Sequence, residues 1–344
     1  MEKIFVSIAS YRDVQCSETL ESLFSNARHP SRVHVGICQQ NMNNKEDEKC
    51  LKKKDFPYKK NIKIIQKKHT EAKGPTYARY ICSTLYENED YFFQIDSHCL
   101  FVEHWDVKCI KMIKDLERSS EIQNKKVMLS HYPPSYDSYE KKPSNTLVTH
   151  MVDCYFNGEG LLTFHGAKWK EPGALPRRNA FLAAGFIFTR GSWVKEVPFD
   201  PDLDYLFTGE EILLSVRSFT SGWDVYTPNQ NILFHAYTRK DSPKFWTDIT
   251  YDSTDVKQKV KIITGLDSDI SKLQSKTMLK TLKEYNVGGI RTLDEFYKFI
   301  GVDVKNQKVG KPMVEFYQSS HCWDDGNQII CFLMIVLLFL FIFS

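Results

Sequence analysis

Apolar residues come in short runs through the first hundred positions, and stretches of helical spacing separate one run from the next. Ile4-Phe5-Val6-Ser7 reads as a strand. Ser17 to Ala27 puts Leu20, Leu23, Phe24 and Ala27 on one face of a helix that Arg28-His29-Pro30 closes. Val33, Val35 and Ile37 alternate in a second strand over Ser31 to Cys38, and Ile62, Ile64 and Ile65 mark a third over Asn61 to Gln66. Pro75 to Tyr86 is a helix with proline near its start, where the missing amide is tolerated. Tyr91-Phe92-Phe93-Gln94-Ile95 is a continuous aromatic and apolar run, the pattern of a strand buried on both faces of a parallel sheet.

Strand, helix, strand, strand, helix, strand in that order predicts a doubly wound α/β half-domain, whose ligands lie beyond the carboxyl ends of the strands. Trp105, Cys109, Met112, Ile113 and Leu116 then take helical spacing. Residues 127 to 180 are rich in Tyr, Pro, Gly and charge and read as loops and short strands. An α/β stretch returns from Phe181 to Tyr237, and the chain turns helical and lysine-rich from about 251 to 320. Within it, Lys257 to Asn286 predicts one long or two shorter helices. The organisation expected is a catalytic α/β domain over 1–250, a helical extension over 251–326 packed on it, and an apolar segment over 327–344.

Composition narrows the class without moving these boundaries. With 344 residues, 42% hydrophobic and 26% charged, the chain can bury a full core and is too apolar for a disordered one. Its 46 basic residues nearly balance 43 acidic ones, so no nucleic-acid partner is expected; Lys52-Lys53-Lys54 and Lys67-Lys68 read as solvated faces. Cysteines scattered at 16, 38, 50, 82, 99, 109, 154, 322 and 331 form no CxxC pair, which points to free thiols and a reducing compartment. Ile329 to Phe343 is uninterruptedly apolar and would reach about 22 Å as a helix. It is expected as a single-pass membrane tail that leaves the rest facing the cytosol. The alternative is a buried core helix in a soluble cytoplasmic protein. Met1-Glu2-Lys3 runs straight into the first strand and lacks the character of a secretory leader.

Candidate chemistry begins at Asp96-Ser97-His98, directly after the buried run. A carboxylate and an imidazole two residues apart can face one ion, and a mixed oxygen and nitrogen set leans toward Mn2+ over Mg2+. Taken alone the triplet is common, with Asp96 capping the next turn as the plain alternative. Glu210 and Glu211 follow Gly209 at the start of an apolar helix, a place that the helix dipole also favours for acids. Ala183-Ala184-Gly185 has small side chains suited to a close approach of ligand or neighbouring element. Ser10, Tyr11 and Arg12 follow the first strand, and Arg79 can pair with a diphosphate or with surface acids such as Glu71. His131 and His165 lie in the loop-rich middle with no partner pattern. Aromatic residues, at 13% with tyrosines clustered over 132–139, fit a packed core better than a peptide groove.

Six segments occur in the order of a known family: IASYRD (8–13), KGPTYARY (73–80), FFQIDSHCLF (92–101), AAGFIFTR (183–190), FTGEEILLSVRSFTSGWDVYTPNQNILFHAY (207–237) and GGIRTLDEFYKFIG (288–301). Over roughly residues 3 to 305 the chain resembles the polypeptide α-N-acetylglucosaminyltransferases. Their best-known members are cytoplasmic enzymes that modify hydroxyproline on the adaptor subunit of Skp-type ubiquitin ligases. The more distant polypeptide N-acetylgalactosaminyltransferases share the Asp-Ser-His triplet and a later Gly-Glu-(Glu/Asn) segment. The resemblance implies a GT-A fold, a UDP-sugar donor, a divalent cation and retention of configuration at the sugar.

Carried over by position, the resemblance makes Asp96, His98 and His235 metal ligands, with Asp96 also near the ribose or diphosphate. It makes Glu210 or Glu211 the group that orients the sugar hydroxyls, and assigns Ser10, Tyr11, Arg12, Arg79 and Gly185 to the donor site. The expected reaction moves GlcNAc from UDP-GlcNAc, with Mn2+ or Mg2+, to a hydroxyl of hydroxyproline, Ser or Thr on a protein or peptide. A glycan or small-molecule acceptor is one alternative, and an inactive tail-anchored binding protein is another.

Overall fold

The structure is a computed structural model that describes residues 2–42, 49–136, 147–164, 168–170, 173–239 and 242–312. The first half runs β1 (Ile4–Tyr11), α1 (Cys16–Ser25), β2 (Val33–Asn41), β3 (Ile62–Lys68), α2 (Gly74–Ser83), β4 (Tyr91–Asp96), β5 (Cys99–Phe101), α3 (Trp105–Arg118) and β6 (Val127–Leu129). Short strands fill the middle: β7 (Val148–His150), β8 (Cys154–Phe156), β9 (Leu162–Phe164), β10 (Lys168–Lys170) and β11 (Arg177–Arg178). Then come β12 (Phe186–Arg190), α4 (Trp193–Glu196), α5 (Glu210–Thr220), β13 (Asp224–Thr227) and β14 (Leu233–His235). The last described stretch carries α6 (Phe245–Asp248), α7 (Thr254–Thr264), α8 (Lys276–Thr281), α9 (Leu293–Ile300) and the small pair β15 (Val302–Asp303) and β16 (Lys308–Val309).

One large sheet, in the order β11-β13-β6-β12-β4-β1-β2-β3, forms the frame. The side-chain period of two sorts its residues to opposite faces. Ile4, Val6 and Ile8 of β1 join Tyr91, Phe93 and Ile95 of β4 beneath Leu20, Leu23 and Phe24 of α1 and Trp105, Met112 and Ile113 of α3. Phe5 and Phe92 face the other way and pack with Ile187, Trp193, Leu214 and Trp223. β4 is therefore buried on both sides, as its sequence predicts.

The neighbours of β4 are not all parallel, however. β1 runs parallel to β2 and β4, whereas β12 runs antiparallel to β4 and to β6. The chain enters β12 from Ala183-Ala184-Gly185 at the edge where β4 ends, so it must run back along β4. One predicted boundary also shifts: the second helix stops at Ser83, short of Tyr86. Lys257 to Asn286 takes the two-helix form of its expectation, dividing at Gly265, whose φ of +72° ends α7; α8 restarts after the Ser275 N-cap. The outer side of α5 is covered by α7 and α9, with Ile212, Leu213 and Val216 against Val256, Val260, Ile263, Phe296 and Ile300.

Cysteine usage departs from the expectation of free thiols. Cys16, at the start of α1, is joined to Cys50 by a disulfide across a sequence separation of 34. Irregular spacing hid the pair, because the partners meet only when the chain folds back beyond β2. Cys38, Cys82, Cys99, Cys109 and Cys154 are free and buried. No helix among the described residues is long and apolar enough to cross a membrane, and the expected anchor over 327–344 lies outside those residues.

Candidate active site

Register brings three backbones together at one edge of the sheet. Ala9 stands opposite Asp96 where β1 and β4 end, and Phe186 stands opposite Ile95, which sets Gly185 beside Asp96. A Cβ on Gly185 would lie 2.7 Å from Asp96 Oδ2, so the glycine is required by close approach. Beyond Asp96 the chain turns into β5. β14 pairs antiparallel with β5, His235 opposite Cys99, and the Ala236 amide donates to the His98 carbonyl at 3.0 Å. Residues separated by well over a hundred positions thus converge: one ligand atom each from Asp96, His98 and His235 lies within 4.8 Å of the others.

The surroundings of these three groups suit a divalent ion. His98 Nδ1 lies 2.8 Å from Asp13 Oδ2, which also accepts from the Ser97 hydroxyl at 2.5 Å and pairs with Arg239 at 3.1 Å. Burial opposes ionisation of Asp13, but His98 and Arg239 outweigh it and hold the carboxyl below its usual range. Burial also keeps His98 below the usual histidine range despite Asp13. A neutral imidazole whose Nδ1–H is fixed by a carboxylate presents Nε2 as a ligand, the common outer-shell arrangement of metal histidines. Asp96 accepts from Arg79 Nη2 at 2.8 Å and meets His235 Nε2 at 2.9 Å. Burial resists its ionisation, yet the hydrogen bond to His235 and the Arg79 charge hold it well below the carboxylate range. His235 Nδ1 is buried without a hydrogen-bond partner among the described residues. One anionic oxygen and two imidazoles fit a Mn2+-type ion.

The adjoining carboxylates separate into two roles. Glu210 is 3% exposed and ion-paired with Arg79 Nη1, so Arg79 bridges Glu210 and Asp96 inside the protein. Of the two partners expected for Arg79, a diphosphate or a surface acid such as Glu71, the surface acid is not the one it meets. Glu211 lines the cavity instead, accepting the Ala184 amide at 3.0 Å and the Tyr132 hydroxyl at 2.6 Å. Burial, against these two hydrogen bonds, lifts its carboxyl to about 7.

The cavity holds about 500 Å³, and its lining includes Tyr11, Gln40, Gly74, Gly185, Phe164, Ile212, Tyr237 and Trp246. Tyr11 and Arg12 both donate to Asp248 Oδ2 at 2.7 Å, which fastens the end of β1 to α6. Ser10 is 1% exposed and absent from the lining, so its side chain does not reach the cavity in which it was expected. His131 is fully buried against Phe186 and pushed down to about 3 by desolvation, also off the lining, and His165 lies outside the described residues. Sequence reasoning missed Asp13, Tyr132, Arg239 and Asp248. Asp13 closes the IASYRD segment, and its position one turn before α1 was the single available signal.

A mixed sheet whose strand β4 ends in a carboxylate, with His98 and His235 brought beside it by the small β5–β14 pair, is the frame of a GT-A glycosyltransferase. The chain belongs to the glycosyltransferase (GlcNAc) family, which matches residues 3–57 and 47–306. Among solved structures it is similar to GalNAc-T7 with UDP, GalNAc and Mn2+, at a TM-score of 0.59 and 13% identity over 87% of this chain and 57% of that one. A looser likeness, at a TM-score of 0.43 and 12% identity, is to residues 1–349 of S. aureus TarS in complex with UDP-GlcNAc, over 82% of this chain and 71% of that one. No curated protein matches by sequence.

Proposed function

We propose that the chain is a metal-dependent, retaining transferase that moves GlcNAc from UDP-GlcNAc to a hydroxyl on a protein. The observation that carries this reading is the convergence of Asp96, His98 and His235 on the same cavity as Glu211. The family match and the fold shared with GalNAc-T7, whose crystals hold UDP, GalNAc and Mn2+, support it. A cavity of about 500 Å³ falls in the range of small-molecule sites.

Asp96, His98 and His235 would hold the divalent ion, which when bound supplies electrostatic stabilisation of the negative charge left on the departing diphosphate. Asp13 and Arg79 keep two of those ligands in place, one through the His98 imidazole and one through the Asp96 carboxylate. Tyr11, at the end of β1, takes the nucleoside side of the cavity. Glu211 accepts hydroxyls of the donor sugar, while Glu210 stays paired to Arg79 and orients it. Phe207, Tyr237 and Trp246, 58%, 51% and 44% exposed at the rim, offer apolar faces to an acceptor peptide. A hydroxyproline-bearing acceptor of the Skp type is the finer form of the proposal, carried by the sequence resemblance alone.

The test is hydrolysis of UDP-GlcNAc by the full chain, with Mn2+ and with chelator, beside Asp96→Ala. Turnover is expected to need the metal and to drop by roughly 100-fold or more in the variant. Metal-independent turnover, or full activity of Asp96→Ala, would sink the mechanism.

A further inference from the structure

The segment after β6 touches both halves of the site. The Tyr132 hydroxyl donates to Glu211 Oε2 at 2.6 Å. One residue on, the Pro133 carbonyl accepts from the Tyr237 hydroxyl at 2.8 Å, and the Pro134 carbonyl accepts the His235 amide at 2.9 Å. The carbonyl of Tyr132 is itself held by the Thr149 hydroxyl. Two consecutive prolines have φ fixed by their rings, which stiffens the backbone that links Tyr132 to the Pro134 carbonyl. Glu211 takes its second hydrogen bond from the Ala184 amide. Donors from two separate segments leave the carboxylate one orientation, and each oxygen keeps a lone pair for a ligand. Burial and the nearby Glu211 charge push the Tyr132 hydroxyl up, so it stays a donor.

We propose that Tyr132 is a positioning residue that aims Glu211 at a hydroxyl of the donor sugar and holds that carboxylate in register with the metal-ligating strand β14. The proposal rests on the reading of the cavity as a UDP-sugar site. Besides Tyr132 and the Ala184 amide, Glu210 of α5, Arg79 of α2 and Tyr237 after β14 face Glu211. Burial raises its carboxyl, Tyr132 and Ala184 pull it down, Glu210 pushes it up and Arg79 lowers it, and together they leave its midpoint at about 7. A carboxylate accepts from a sugar hydroxyl best when ionised, so turnover rises as pH climbs through that midpoint. Loss of the Tyr132 donor moves the rise to higher pH.

Two measurements on the full chain test this. The first follows the 13C side-chain carboxyl resonance of Glu211, assigned by its disappearance in Glu211→Gln, through a pH titration of wild type and Tyr132→Phe. The midpoint is expected to move up by about one pH unit in the variant. The second is Mn2+-supported hydrolysis of UDP-GlcNAc, where Tyr132→Phe is expected to lower kcat roughly tenfold, recovered in part at higher pH. An unmoved midpoint, or a moved midpoint with wild-type turnover, overturns the role of Tyr132. A wild-type chain that neither binds UDP with Mn2+ nor turns over UDP-GlcNAc overturns the functional reading and the proposal with it. The titration needs no turnover, so the two failures are told apart.

Discussion

At the scale of single residues, the site is governed by how closely backbones approach one carboxylate. Gly185 leaves Asp96 its place, since a methyl there would come within 2.7 Å of Oδ2. Gly185→Ala is expected to displace the carboxylate from His235 and Arg79 and to weaken Mn2+ binding by at least roughly tenfold, read by electron paramagnetic resonance titration of free Mn2+. An unchanged affinity would mean that the neighbours give way instead. Asp96, His98 and Gly185 could be picked out from the chain because they fall at the end of a strongly apolar strand or in a run of small residues. Asp13 and Tyr132 could not. Their importance comes from partners 85 and 79 positions away, so neither the IASYRD segment nor the tyrosines over 132–139 told which group each would meet. Glu210 and Glu211 were visible as a pair but not as opposites, because adjacent helix positions point about 100° apart and only tertiary packing says which way is inward.

Among the elements, α5 decides most. Its first turn carries both glutamates, and its far side rests on α7 and α9. α9 is well specified locally: Thr292 and Glu295 form a reciprocal capping box, and Gly301 closes the helix at φ +70°. Phe296 is its main anchor, fully buried and edge-on to Phe219 of α5. Phe296→Ala is expected to cost about 3–5 kcal/mol in chemical denaturation, whereas Thr292→Ala should cost about 1 kcal/mol. A smaller loss for Phe296 than for Thr292 would show that α9 contributes little to the support of α5. Element type was readable wherever periodicity was strong, as in β1, β4, α1 and α3. Residues 127 to 180 read only as loops and short strands, and the places of β7 to β11 within them did not show, since strands of two or three residues have too few positions to display a period. Likewise, strand direction is not encoded in burial: β4 has the apolar run of a parallel strand and still accepts β12 from the opposite direction.

For the whole molecule, the disulfide and the sheet order matter most. Cys16–Cys50 closes a long segment, and in the chain-entropy view a loop of 34 residues gives about 3–4 kcal/mol of stability. Melting with and without dithiothreitol, beside Cys16→Ser, is expected to lower Tm by several degrees in both cases. A melting curve indifferent to reductant would show that the bridge contributes nothing to the folded state. One clear consequence lies in the sheet. β1 is built from residues near the start of the chain, yet it sits deep in the array, and its neighbour β4 gains its second partner only with β12. A nascent polypeptide therefore passes through lengths at which Tyr91, Phe92 and Phe93 lie along an open strand edge. Pairings that distant in sequence form slowly, and such an edge invites association with other chains meanwhile. The biogenesis of this protein should depend on whatever shields that edge until the residues near Phe186 have been made.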